Sequence, residues 1–292
     1  MTSGDDAVTT LQKTPHRHRR ATFTLADRSR IVGALLAKSV TDRLTLAGIV
    51  GLLMVAMGAF VGALWPPLRE TFAGLPSDFA DAIGKALPGG DLTSGIGFAN
   101  AELMSIVAPV GAIAVAVISA ARGTAGEEED KTLGILLAAP VGRLTFLFTK
   151  TVAMVIHVLI VGVLLAAGIV TANLIGELGI TTSGIVGATV HTVLLGTLFG
   201  AIAILTGAST GNRRLTAAAT GGLAALAFAI STFLPLSNRL ADGAKISPWY
   251  YFNASNPLVN GPDPGHLLVL AAMTVIPIAL AAAAFHRRDL RG

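Results

Sequence analysis

The chain has no cysteine, only two tryptophans and two tyrosines, and few charges: Asp, Glu, Lys and Arg make up 13% of its 292 residues. Without cysteine there is no disulfide, no thiolate metal site, no thiol nucleophile and no prenyl or palmitoyl anchor. The shortage of charge excludes an ordinary soluble domain, in which about 25% of residues are charged. Several catalytic signatures are also missing. There is no G-x-x-x-x-G-K-[ST] phosphate loop, no G-x-S-x-G and no H-E-x-x-H, so the chain does not carry those forms of nucleotide, ester or metal-assisted hydrolysis.

The charges are missing from particular places. Six apolar stretches run at about 44–65, 103–121, 151–175, 184–209, 215–236 and 267–285, and none contains Asp, Glu, Lys or Arg. About 20 apolar residues cross a bilayer as a helix. The expected fold class is therefore an all-α integral membrane protein with six transmembrane helices. A transporter driven by protons or ions keeps an ionisable group at membrane depth. Here only His157 and His191 qualify, in the third and fourth spans. They are expected to be hydrogen-bonding side chains between helices. A self-contained transporter that uses them is the alternative reading.

What is present orients the chain. Of the 21 Lys and Arg, 17 fall before the first span, between the second and third, between the fourth and fifth, and after the sixth. The excess of basic residues on one side predicts that these segments, and both termini, are cytoplasmic. Trp65, Trp249, Tyr250 and Tyr251 fall at the other edge, where amphipathic rings settle at a lipid interface. The first span starts too late and is too long for a signal peptide. Residues 1–23 form a basic tail suited to anionic lipid, with no nucleic-acid recognition module after it. The remainder, 24–292, is expected to be one transmembrane domain.

Four elements lie between or before the spans. Residues 24–43 open with Thr24 and Asp27 as a capping box. Their apolar and basic faces predict a helix lying flat at the inner interface, or else an extension of the first span. The outer loop from Pro66 to Glu102 contains Ser77, Phe79, Ile83 and Leu87 at helical spacing, which predicts a short surface helix. The last outer loop, Ser237 to Gly265, is rich in Pro, Asn and aromatics. The fourth element is "GEEEDKTLGILLAAPVGRLTFLFTK", from Gly126 to Lys150. Glu127, Glu128, Glu129 and Asp130 precede an apolar turn, Leu133 to Leu137, and suit the start of a helix. Pro140 pushes its predecessor out of helical geometry. A second helix begins near Val141 and feeds the third span. The expectation is a short helix, a sharp break and a long helix, on the cytoplasmic side.

This stretch resembles the cytoplasmic loop of type-2 ABC transporter permeases. Thr132, Leu133, Leu136, Leu137, Pro140, Val141, Arg143 and Lys150 match that family's pattern. Lys131, Gly134 and Gly142 depart from its usual Gly, Glu and Ser. The resemblance implies a permease of an ATP-driven exporter in a bacterial cell membrane. It implies a separate ATPase chain that carries ATP and Mg, with no cofactor on this chain. It also implies a coupling helix seated on that ATPase, formed around Glu127, Glu128, Glu129, Asp130, Thr132, Leu133, Leu136, Leu137, Pro140 and Arg143. The residues at 24–43 would be the family's elbow helix. A second permease copy, or a paralogous one, would pair through the first and fifth spans near Gly221 and Gly222. The uncharged spans suit a hydrophobic or amphipathic cargo.

Overall fold

The computed structural model describes residues 25–74, 92–132 and 142–287. Among them there is no strand, and six helices are long and apolar enough to cross a membrane. Helix α1 is Leu25–Ala73, α2 is Gly95–Glu129, α3 is Arg143–Gly176, α4 is Thr182–Thr210 and α5 is Arg213–Phe233. Two short helices follow, α6 (Pro248–Asn253) and α7 (Pro257–Asn260). Helix α8, Pro264–Arg287, is the last span. Each of the six long helices contains an apolar stretch of at least 18 residues, which suits a bilayer rather than a wet surface.

Helices α2 and α4 form the centre, and α1, α5 and α8 are the most exposed spans. The most extensive packing joins α1 to α3. Its seam is made of glycines. A Cβ on Gly58 would strike the carbonyl of Gly168, and one on Gly168 would lie 2.5 Å from the carbonyl oxygen of Met54. Further along, a Cβ on Gly176 would come 2.8 Å from the Gly62 carbonyl oxygen. Lipid tails are as apolar as leucine, so helices in a membrane associate through close van der Waals contact, and only small residues permit it.

Three expectations about elements need correction. The amphipathic stretch at 24–43 is not a separate flat helix, since α1 runs unbroken from Leu25. Nothing between Lys38 and Leu44 stops a helix. Ser39 and Thr41 turn their hydroxyls to the carbonyls of Leu35 and Ala37, four residues back, instead of capping a new start. The first span does not end at Trp65 either. Two prolines, Pro66 and Pro67, sit inside the helix. Each removes one backbone donor but has a helix-compatible φ, so the helix continues to Ala73. Finally, Trp65 and Trp249 are buried in protein rather than set in a lipid-facing belt. Trp65 packs on Phe98 at 5.5 Å between ring centroids, and Trp249 packs edge-on against Phe228 at 5.2 Å. Thr24 and the surface helix around Ser77, Phe79, Ile83 and Leu87 lie outside the described residues.

Helix α2 is irregular at both ends. Asn100–Val107 and Arg122–Gly126 are π-helical, a wider winding that often marks functional positions. Pro109 follows the first of these and lacks an N–H donor, which gives the disturbed ladder there an identifiable cause. The segment after α5, read as a loop, is built from 3₁₀ turns at Leu234–Leu236 and Ala241–Ile246 and from α6 and α7. At the start of α8, the Asp263 carboxylate accepts from the His266 N–H at 3.0 Å. That bond holds the Asp263 carboxyl below its ordinary range.

A candidate coupling site at the basic end

The helix ends that carry the basic segments gather at one end of the bundle. There the second π-helical stretch delivers Glu127, Glu128 and Glu129 as the last turn of α2. The acids therefore end α2, and the short helix they were expected to precede, around Leu133 to Leu137, lies outside the described residues. Negative charge at a helix C-terminus opposes the macrodipole, and neighbouring donors offset that cost. Lys150 Nζ donates to Glu127 Oε1 at 2.7 Å, and the Thr132 hydroxyl donates to the other oxygen of the same carboxylate. The Lys150 ammonium also lies 5.4 Å from the centre of the Phe146 ring. The chain turns at Lys131, whose φ of 57° is left-handed.

Glu129 reaches elsewhere. Its Oε1 accepts from the backbone N–H of Arg213 at 2.8 Å, and its Oε2 lies 3.6 Å from Arg213 Nε. Asn212 caps the same helix by accepting from the Leu215 N–H at 2.9 Å. A carboxylate at the start of α5 satisfies a free donor and suits the positive end of the dipole. The two acids thus tie the end of α2 to α3 through Glu127 and to α5 through Glu129. Glu128 is buried, and Asp130 is exposed. Gly142, in extended conformation, is the N-cap of α3, and Arg143, exposed, is its first residue. Leu133, Leu136, Leu137 and Pro140 lie outside the described residues.

Sequence reasoning singled out the acids and Thr132 but gave no site role to Lys150 or Arg213. A signal was available. Lys150 is a lone cation at the edge of a span, and such a group needs a partner when the edge is buried.

An apolar cavity of about 420 Å³ opens between α2 and α5. Ile106, Val110 and Val117 line it from α2, Gly221, Ala224 and Phe228 from α5, and Trp249 from α6. Gly222 is exposed, and nothing stands within 4 Å of a Cβ at either Gly221 or Gly222. The two intramembrane histidines do not meet. His157 Nε2 lies 2.9 Å from the Val40 carbonyl oxygen of α1, so it does tie two helices. His191 Nδ1 instead bonds the Gly187 carbonyl of its own helix, at 2.9 Å. Among the described residues no group of three His, Asp or Glu is placed to hold a metal ion.

No curated protein matches the chain. A family model described as "ABC-2 family transporter protein" matches residues 31–290. That match spans all six membrane helices and the acid-bearing turn, and the chain accordingly belongs to the ABC-2 family of transporter proteins, as a multi-pass permease.

Proposed function

We propose that this permease is the membrane half of an ATP-driven exporter and that a separate ATPase chain, carrying ATP and Mg, docks on its basic end. The observation that carries this reading is the double tie of the acid turn. Glu127 holds it to α3 and Glu129 holds it to α5, so a push on the adjoining segment reaches three spans together. That adjoining segment, 133–141, contains the Leu133, Leu136, Leu137 and Pro140 pattern of a coupling helix. The excess of basic residues at this end favours a cytoplasmic position for it and for both termini.

The cargo is hydrophobic or amphipathic. The cavity between α2 and α5 has almost wholly apolar walls, and such walls cannot replace the hydration of a charged solute. Two copies pair through the exposed face of α5, where Gly221 and Gly222 leave room for a partner helix. Export as the direction follows the resemblance of the coupling loop.

The test is co-purification of the tagged chain from its own membrane, followed by an ATPase assay. An ATPase chain is expected in near-equal amount, with activity that depends on the permease. Leu133→Asp or Leu136→Asp is expected to abolish that association while leaving membrane insertion intact. A complex that survives both substitutions removes the coupling assignment.

A further inference from the structure

A polar recess lies at the basic end between α1, α2 and α3. Its polar lining is Ser39, Asp42 and Arg43 of α1, Ser119, Arg122 and Glu127 of α2, and Lys150 and His157 of α3. Three of these are cations drawn from three different helices. Arg43 immediately precedes the first apolar stretch, Arg122 immediately follows the second, and Lys150 immediately precedes the third. The fold brings three separate membrane boundaries to one point.

The charges there are not balanced. Lys150 is neutralised by Glu127. Among the described residues, Arg43 donates only to the neighbouring Asp42 carbonyl, at 2.9 Å. Arg122 is exposed and is not in any salt bridge or hydrogen bond with the described residues. The remaining acid, Asp42, is exposed on the rim, with Lys38 one helical turn before it, a spacing at which the two attract. Inside the recess, Ser119 Oγ and His157 Nδ1 are buried and have no hydrogen-bond partner among the described residues. Buried polar atoms are almost always satisfied, so a ligand or water belongs beside them. The enclosed space is about 30 Å³, enough for one or two waters behind a small group at the mouth.

We propose that this recess binds a phosphate group presented by an anionic phospholipid of the leaflet that flanks the basic end. Arg43 and Arg122 reach the phosphate oxygens from two helices, as paired guanidinium groups do well. The Ser119 hydroxyl donates from within. His157 Nε2–H donates to the Val40 carbonyl, so Nδ1 of the neutral ring is an acceptor, and a water in the recess donates to it. Basic pockets between membrane helices at the level of lipid headgroups are the places where such headgroups bind. The proposal needs neither an ATPase nor a particular side of the membrane.

The test uses the full chain in phosphatidylcholine nanodiscs with graded phosphatidylglycerol, and native mass spectrometry to count the phosphatidylglycerol retained. One tightly held lipid per chain is expected. Arg43→Ala and Arg122→Ala should each weaken retention about fivefold, and the double variant roughly 25-fold. Arg214→Ala removes an exposed cation at the same end, outside the recess, and should change retention less than about twofold. Melting of the double variant in pure phosphatidylcholine should match that of the unaltered chain. If it does not, Arg122→Gln alone is the deciding variant. Retention unchanged in that variant or in the double variant overturns the site. So does an equal loss in Arg214→Ala, which would mean diffuse attraction by the whole basic end. Displacement of phosphatidylglycerol by millimolar inorganic phosphate would make the ligand a free anion and overturn the lipid assignment.

Discussion

Lys150 and Glu127 stand 23 residues apart, and each alone would be out of place at a membrane boundary. The lysine side chain keeps 5% of its exposure and the glutamate 16%. Removing one partner of such a pair leaves the other charged and desolvated, at a cost of about 3 kcal/mol. Glu127→Ala is therefore expected to lower the melting temperature in detergent sharply. The double variant Glu127→Ala with Lys150→Met should recover most of that loss. Equal melting of single and double variants would show that the pair is not a structural tie. Both residues were visible as letters, one as part of an acid cluster and the other as a motif position. Their contact was not, because it depends on how α2 and α3 pack.

At the scale of elements, the decisive feature is where small residues meet. The family resemblance pointed to Gly221 and Gly222 of the fifth span as a contact surface for a second copy. The structure places its closest backbone contact between α1 and α3 and leaves Gly221 and Gly222 in open space. The missed signal was "GAFVG", from Gly58 to Gly62, a G-x-x-x-G spacing that puts two glycines on one helix face. Gly58→Ala drives a methyl group into the Gly168 carbonyl and should cost about 2 kcal/mol through forced separation of the helices. Gly48→Ala, on the same helix but with nothing within 4 Å of the added Cβ, is the control and should melt like the unaltered chain. Equal effects at the two positions would mean that helix propensity, not packing, governs α1.

For the whole molecule, topology and pairing are the measurable quantities. Single cysteines placed at Gly90 and Gly211, in a chain that has none of its own, are expected to react with an impermeant label from opposite sides of the membrane. Labelling from the same side would overturn the six-span topology. Helix α5 is the least buried of the six, and the proposed pairing puts its open glycine face against a second copy. Gly222→Trp should weaken dimerisation, read by crosslinking in native membranes, while leaving the melting of the monomer unchanged. A dimer that tolerates the tryptophan would place the seam elsewhere.

Membrane residence, six helical spans and the basic bias of alternate connections were all legible in the sequence. Each is set by local composition over about 20 residues, the thickness of the bilayer core. The run of acids before a Leu-rich segment and Pro140 was visible as a motif, but 133–141 lie outside the described residues and its coupling role belongs to the proposal. The tertiary structure decided which groups meet across helices. It made α1 one helix from Leu25 to Ala73. It turned the acids into the end of α2 and split them between Lys150 and Arg213. It also gathered Arg43, Arg122 and Lys150 around one recess. The physical reason is that hydrophobicity puts a helix in the membrane but cannot choose its neighbours, because lipid and leucine are nearly equivalent solvents. Neighbours are chosen by shape and by the few polar groups that require a partner.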